Sequence, residues 1–157
     1  MIYYFTGQPE HGKTTLGKML VEHLIEKYGT ENVFHIDGDD IRKLFTNADY
    51  TINGRVNNIN TANRIAHYLH NHNKHVVVSV VAPYIDQRED FKATLGENII
   101  EFYIHSNEAK TRDKFKAIAY MKPTENYYDI DTTLDTPEQS LNKIKKYIDE
   151  KLHTESR

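Results

Sequence analysis

The sequence predicts an α/β protein with a doubly wound, mainly parallel five-stranded sheet flanked by helices. Short apolar runs alternate along the chain with longer stretches whose apolar residues recur at helical spacing. One run, "HVVVSVVAP", is almost continuously β-branched, which is typical of a parallel strand covered on both faces. A glycine-containing loop joins the first apolar run to the first helical stretch. We therefore expect βαβ units that bind their ligands at the carboxyl edge of the sheet.

The predicted elements follow one another mostly in βα order. Strands are expected at "MIYYF", "NVFHID", "HVVVSVVAP", "NIIEFYIHS" and "YYDIDTTL". Helices are expected at "KTTLGKMLVEHLIEKYG", "DDIRKLF", "GRVNNINTANRIAHYLHNHN", "IDQREDFKATLG", "NEAKTRDKFKAIAYMK" and "TPEQSLNKIKKYIDEKLH". Gly29 and Gly96 suit helix ends, and Pro137 suits a first turn. A length of 157 residues is appropriate for a single domain, 1–157, with one core.

The composition argues against several classes of partner. A net charge of -3 supplies no broad cationic field, so nucleic acid is an unlikely partner. The longest apolar run is too short to span a bilayer, so we expect no membrane association. The chain has no cysteine and shows no leader before the first strand, which fits the cytoplasmic location that we expect. The oligomeric state stays open, and a homodimer is compatible with the sequence.

The loop "GQPEHGKTT" matches the phosphate-binding pattern G-x-x-x-x-G-K-[ST]. In this pattern backbone N–H groups and a helix N-terminus converge on phosphate oxygens. Lys13 would reach the β- and γ-phosphates, Thr14 would place its hydroxyl on Mg²⁺, and Thr15 would contact the α-phosphate. A chance turn with a lysine is the alternative, but the strand before the loop and the helix after it favour the motif. The predicted ATP-binding residues are Gly7, Gln8, Pro9, Glu10, His11, Gly12, Lys13, Thr14 and Thr15.

Carboxylates follow the second predicted strand, in "HIDGDDIRK". Neither "NKHV" nor "NKIK" has the aspartate of a guanine reader, and "VVVSVVAP" ends without the carboxylate that motor ATPases use for Mg²⁺. At the carboxyl edge of a parallel sheet, Asp37, Asp39 and Asp40 would face the phosphate loop. A carboxylate there accepts a proton from an attacking hydroxyl or holds the water shell of the metal. We therefore predict Lys13, Asp37 and Asp39 as catalytic residues, although an acidic helix start would also explain Asp39.

Several motifs resemble those of adenylylsulfate (APS) kinases, a family with the phosphate-loop (P-loop) nucleoside-triphosphate kinase fold. "DGDDIR" is similar to the family's D-G-D-N-[IV]-R, and "DYTINGRVNNI" to its G-F-S-x-x-D-R-x-x-N-[IV]. "VVVSVVAPYIDQRED" resembles its strand that ends in S-P-Y, and "EFYIHSNEAKTRD" resembles the start of its lid. The resemblance runs in order to about residue 136. It implies an ATP-dependent kinase that phosphorylates the 3′-hydroxyl of APS with Mg²⁺.

The resemblance also implies a set of site residues and a short lid near 112–128. A site for APS needs guanidinium groups for its two anions and an aromatic face for its purine. Tyr50 would stack on the base, and Arg112 would contact ATP, although Tyr50 could also be simple packing and an arginine could be a surface charge. The implied substrate residues are Asp39, Arg42, Tyr50, Arg55, Asn58, Val81, Ala82, Pro83 and Tyr84.

Two departures from the family pattern affect the expected mechanism. Ala82 stands where some relatives carry a phosphorylated serine, so we expect direct in-line transfer. Ser79 would lie roughly 10 Å back from the edge, at about 3.3 Å per residue. The lid is shorter than the family's and lacks its F-T-G-I element. A polynucleotide 5′-hydroxyl kinase, another small-molecule kinase, and an ATP-binding domain without transfer therefore stay open as alternatives.

Overall fold

The computed structural model describes residues 1–107, 117 and 119–156. The strands are β1 (Ile2–Thr6), β2 (Val33–Asp37), β3 (His75–Ser79), β4 (Ile99–His105) and β5 (Tyr128–Asp131). The helices are α1 (Lys13–Tyr28), α2 (Gly38–Leu44), α3 (Ile52–Asn71), α4 (Ile85–Leu95) and α5 (Pro137–Glu155). None of these helices is long and apolar enough to cross a membrane.

The five strands form one sheet in the order β2-β3-β1-β4-β5, and every neighbouring pair is parallel. The predicted fold class is therefore confirmed. Because β3 and β4 lie on opposite sides of β1, the chain order reverses at the central strand. This reversal opens a crevice at the carboxyl end of β1, where doubly wound sheets bind their ligands. The phosphate loop follows β1 directly and occupies that crevice.

Both faces of the sheet are covered, and every residue of β1 is buried. Successive side chains of a strand point to opposite faces. Tyr4 therefore packs in one cluster with Ala62 of α3 and Phe91 of α4, whereas Phe5 packs in the other with Leu20 of α1 and Ile144 of α5. This double burial explains the continuous apolar runs of the central strands.

Helix α1 lies very close to the strands beneath it. A Cβ atom added at Gly17 would stand 2.5 Å from Ser79 Oγ and 2.7 Å from His35 Nε2. A glycine at this position lets the first turns of α1 approach β2 and β3. At the other end of the chain, α5 begins with a capping box between Thr136 and Gln139. Pro137 occupies its first turn as predicted.

Two predicted elements end differently in the structure. Strand β3 stops at Ser79 and does not continue to Pro83, because Ala82 takes a left-handed conformation with φ 44°. The predicted helix over residues 107–122 is wrong for 119–122, which are irregular. The backbone there pairs with another segment, since Met121 N donates to Pro83 O at 2.8 Å. Residues 108–116 and 118 of that predicted helix, including Arg112, lie outside the described residues.

Candidate active site

The phosphate loop links β1 to α1 through two glycines with positive φ angles. At Gly7, where φ is 144°, an added Cβ would stand only 2.2 Å from Ile104 O. No side chain would fit there, so the first glycine of the motif is required. Gly12, with φ 97°, precedes α1, and no side chain of the described residues caps the helix there. The first turn also has no acidic residue, so its N–H groups suit an anion.

Lys13 is the buried cation of the loop. Its side chain is only 8% exposed, and Nζ donates to Gln8 O at 2.7 Å. Burial lowers the pKa of Lys13 to about 8, although Asp37 and Asp39 favour the charged form. A nucleotide phosphate would add negative charge beside this ammonium group and restore its full protonation.

Asp37 connects the phosphate loop to α2. Its Oδ2 accepts a hydrogen bond from Thr14 Oγ1 at 2.6 Å, and its Oδ1 accepts one from Asp39 N at 2.9 Å. Asp37 is therefore the N-cap of α2, and Asp39 lies in the first turn, exposed to the cleft. The sequence had suggested a helix-capping role for Asp39 as an alternative, and the structure gives that role to Asp37.

The oxygen atoms of Thr14 and Asp37 fit Mg²⁺, which prefers hard oxygen ligands. Among residues 1–107, 117 and 119–156, no group of three or more His, Asp or Glu side chains is arranged to hold a metal ion. Such a paucity of protein ligands is typical of Mg²⁺ that arrives with nucleotide phosphates and keeps several waters. When bound, the ion would neutralise charge on the phosphates.

A cleft of about 710 Å³ extends from the phosphate loop across the end of β2 to α3. It brings together most of the predicted site. The predicted residues in its wall are Pro9, Glu10, Lys13, Thr14, Asp37, Asp39, Arg42, Tyr50, Arg55, Asn58, Val81 and Pro83. The other predicted residues that the structure describes do not line the cleft: Gly7, Gln8, His11, Gly12, Thr15, Ala82 and Tyr84.

The side chain of Tyr50 lies close to two arginines. The guanidinium carbon of Arg42 is 4.0 Å from the centre of the Tyr50 ring, and that of Arg55 is 5.4 Å from it. Arg42 also donates to the carbonyl oxygens of Asn47 and Asp49, at 3.1 Å and 2.9 Å. Arg55 Nε donates to Tyr50 O at 3.0 Å. The predicted stacking residue is therefore part of a cationic platform at one end of the cleft.

Asn58 is a buried amide side chain in the wall of the cleft. It is 6% exposed, and its Nδ2 donates to Gly38 O at 3.2 Å. Its Oδ1 is buried without a hydrogen-bond partner in the described structure. A buried acceptor of this kind is costly unless a donor reaches it. Because Asn58 lines the cleft, a ligand hydroxyl or amino group would supply that donor.

Ser79 has a different place from the one predicted. It is the last residue of β3 and lines the cleft, so it does not lie roughly 10 Å behind the edge. The prediction was wrong because it assumed that β3 continues to Pro83. Ser79 Oγ donates to Lys13 O at 3.3 Å and lies 2.9 Å from His35 Nε2. The hydroxyl therefore supports the start of α1.

Gln8 and His11 hold the phosphate loop in place from outside the cleft. Gln8 Nε2 donates to Ala117 O at 2.8 Å, and Ala117 N donates to Gln8 Oε1 at 3.0 Å. His11 Nδ1 accepts from Ser106 N at 3.1 Å, just after β4. Both residues were predicted as ATP ligands from their place in the motif, and the described contacts show them bracing the loop.

Several residues of the cleft wall were not predicted from the sequence. Lys43, Thr46 and Asn47 follow Arg42 on α2 and the loop after it, and all three line the cleft. The polar run "TNAD" before the next predicted helix was the available signal, because such a loop at the carboxyl edge of a sheet faces ligands. Lys43 adds a third cation to the side of the cleft that carries Arg42 and Arg55.

The fold and the cleft together define a phosphate-loop kinase, an ATP-dependent phosphotransferase. The family model of adenylylsulphate kinase matches residues 1–142, and the chain belongs to that family. The chain is 28% identical over 158 residues to the cytidine diphosphoramidate kinase of Campylobacter jejuni, which covers 96% of this chain and 91% of that protein. It is also 28% identical over 169 residues to the adenylyl-sulfate kinase of Staphylococcus epidermidis, covering 95% and 84%.

Solved structures support the same fold. The APS kinase of Mycobacterium tuberculosis in complex with AMPPNP and APS has a TM-score of 0.73 at 20% identity, covering 92% of this chain and 95% of that one. A gluconokinase from Sinorhizobium meliloti has a TM-score of 0.64 at 15% identity, covering 99% and 97%. Kinases with different acceptors therefore share this architecture, and the acceptor has to be argued from the cleft.

Proposed function

We propose that this kinase transfers the γ-phosphoryl group of ATP to the 3′-hydroxyl of adenylyl sulfate. The observation that carries the proposal is the continuity of one cleft from Lys13 and Thr14 to the platform of Arg42, Tyr50 and Arg55. A phosphate site and a site for an anionic aromatic acceptor therefore share one space. Adenylyl sulfate has the chemistry that the second site would recognise, since it carries two anions and a purine.

The residues of the cleft have separate roles in this reaction. Lys13 neutralises charge on the transferred group, while Arg42 and Arg55 hold the anions of the acceptor. The acceptor oxygen attacks the γ-phosphorus, and the bond from that phosphorus to the bridging oxygen breaks, so that ADP leaves. Asp39 takes the proton of the attacking hydroxyl. Transfer is direct, because Ala82 offers no hydroxyl for a covalent intermediate. We also propose a cytoplasmic location, where ATP is available.

Cytidine diphosphoramidate is the second candidate acceptor. The relative that carries this name matches nearly the whole of this chain and of its own length. A pyrimidine nucleotide with a diphosphate-derived chain presents the same two features, an aromatic base and clustered anionic oxygens. Stacking on Tyr50 does not select between bases, because every base has a π-face. The departures at Ala82 and in the lid remove family features that would favour adenylyl sulfate.

One assay separates these functions. ADP release would be measured with Mg²⁺ and ATP in the presence of adenylyl sulfate, cytidine diphosphoramidate, a 5′-hydroxyl oligonucleotide, or no acceptor. The proposal expects release that depends on adenylyl sulfate, with the new phosphate at the 3′ position by ³¹P NMR. Turnover with only the cytidine compound would establish the second candidate. Turnover with the oligonucleotide would indicate a polynucleotide kinase, and tight ATP binding without any turnover would indicate a non-catalytic domain.

A further inference from the structure

Three successive carbonyl groups in the wall of the cleft are held from three different directions. Val81 O accepts from Gly7 N of the phosphate loop at 3.3 Å, and Pro83 O accepts from Met121 N at 2.8 Å. Between them, Ala82 O accepts from Arg88 Nη1 at 2.6 Å. Val81 and Pro83 line the cleft. The shape of this wall therefore depends on groups that lie outside the cleft.

Arg88 is the central member of this arrangement. Its side chain is fully buried in α4, and its Nε lies 3.2 Å from Glu101 Oε1. A second guanidinium nitrogen, Nη2, donates to Met121 O. One planar side chain therefore joins Ala82 to Met121 while Glu101 fixes its orientation. Because the guanidinium group is fully buried, the opposite charge of Glu101 is needed to stabilise it there.

The backbone at Ala82 shows why the wall needs to be held. A φ of 44° is left-handed, and a residue with a Cβ atom rarely takes this conformation. Such conformations persist only where the surroundings impose them, and they cluster at functional sites. The hydrogen bonds from Gly7, Arg88 and Met121 to residues 81–83 supply that constraint.

We propose that Arg88 is a positioning residue for the acceptor: through Ala82 O it fixes the 81–83 wall, although it touches no substrate. The inference rests on the proposed function only in assigning that wall to the acceptor. Its loss lets Ala82 relax out of the left-handed conformation and moves Pro83 in the wall. The phosphate loop keeps its glycine geometry and Lys13, so ATP binding is unaffected.

Lys92 provides a matched control on the same helix, one turn further on. It shares the carboxylate of Glu101, with Nζ 2.7 Å from Oε2. Lys92 Nζ also pairs with Glu89 Oε1 at 2.7 Å and donates to Glu125 O and Asn126 O, at 3.3 Å and 3.2 Å. Lys92 therefore belongs to the same buried ion cluster but does not contact residues 81–83. A variant at this position separates loss of the ion cluster from loss of the Ala82 contact.

The test compares Arg88→Met, Arg88→Lys and Lys92→Met with the unaltered protein. The readouts are the Kd of MgATP, the kcat/KM for the active acceptor, and hydrogen exchange at the Met121 amide, which donates to Pro83 O. Arg88→Met should lower the acceptor kcat/KM at least tenfold, keep the ATP Kd within twofold, and speed exchange at this amide. Arg88→Lys should recover part of each effect, since an ammonium group keeps the pairing with Glu101. Lys92→Met should leave the acceptor kcat/KM near its original value.

Two results would overturn the proposal. One is unchanged exchange at the Met121 amide in Arg88→Met, and the other is an equal loss of acceptor kcat/KM in Lys92→Met. If Arg88→Met does not fold, Arg88→Lys decides by the same two readouts, because it conserves charge and most of the volume. If the unaltered protein has no turnover with any acceptor, the proposed function fails. The exchange measurement then still decides whether Arg88 holds the wall.

Discussion

Lys13 combines two opposing effects on its charge, and their balance makes nucleotide binding depend on pH. Burial lowers its pKa to about 8 in the free protein, but phosphate oxygens bind only the charged form. Binding therefore draws a proton onto Lys13 whenever the pH is near or above that value. At pH 8 we expect uptake of about half a proton per MgADP bound, and about a tenfold weaker affinity at pH 9 than at pH 7.

Calorimetric titrations in buffers of different ionisation enthalpy would measure this uptake. Lys13→Ala is the control, since it should show neither the uptake nor phosphoryl transfer while keeping its circular dichroism spectrum. Binding of MgADP to the unaltered protein without proton uptake at pH 8 would contradict the assigned state of Lys13.

We propose that Asp39 acts on the acceptor and does not hold the nucleotide. Its side chain lines the cleft, while the contact with Thr14 belongs to Asp37. We expect Asp39→Asn to lower kcat by a factor of about 100 or more, as for loss of a general base. The Kd of MgATP should stay near its original value. Steady-state kinetics and calorimetry would test this, and a weaker ATP affinity with normal kcat would make Asp39 a structural residue.

Ala82 and Ser79 together predict that the protein carries no phosphoserine during turnover. Ala82 has no hydroxyl, and the Ser79 hydroxyl is engaged with Lys13 O and beside His35. Incubation with γ-labelled ATP and no acceptor, followed by denaturation, should therefore leave no acid-stable label on the chain. Stoichiometric label on Ser79 that disappears when acceptor is added would establish a covalent intermediate instead.

At the scale of single elements, α3 presents Arg55 and Asn58 to the cleft one turn apart. If the acceptor binds at this face of α3, as we propose, Arg55→Ala should weaken acceptor binding at least about tenfold, the value of one charge-assisted hydrogen bond. The affinity for MgATP should not change. The matched control is Arg64→Ala, an exposed arginine further along the same helix. Calorimetry that finds unchanged acceptor affinity in Arg55→Ala would remove this residue from the site.

Helices and strands with a regular apolar pattern were predictable from the sequence. Features that depend on contacts between distant parts of the chain were not. Burial of one helix face produces the apolar periodicity of α1, α3 and α5, and burial of both strand faces produces the β-branched run of β3. Both patterns can be seen directly in the sequence. The end of β3 is set by Arg88 and Met121, which contact residues 82 and 83 from distant parts of the chain. The platform around Tyr50 is equally non-local, since α2 supplies Arg42 and α3 supplies Arg55.

At the scale of the whole molecule, the fold and the position of the cleft were predictable because the phosphate-loop motif indicates both. The phosphate loop fixes β1 as the strand before the crevice, and the carboxylates after β2 fix the opposite wall. The burial of Glu101, Arg88 and Lys92 could not be predicted, because the sequence shows three ordinary surface-type charges. Only the packed molecule brings these charges together beneath the segment 119–126.

The sequence left the oligomeric state open, and from the surface of the molecule we propose a homodimer. Three apolar side chains are exposed where α2 leads into α3: Leu44 at 76%, Phe45 at 60% and Ile52 at 68%. A pairing of two copies would cover such side chains. Light scattering after size exclusion should give twice the 18.4 kDa of one chain. Phe45→Asp should give a monomer, whereas Leu134→Asp, at a distant exposed position, should not. A monomeric mass for the unaltered protein at all concentrations would contradict this expectation.

The paired hydrogen bonds between Gln8 and Ala117 join two positions that are 109 residues apart in the sequence. A displacement of the phosphate loop is therefore transmitted to the neighbourhood of Ala117. The chain has no cysteine, so Ala119→Cys would create one unique and exposed attachment point for a fluorophore. The fluorescence of a label at that position would then report nucleotide binding and release on the millisecond scale, without any acceptor present.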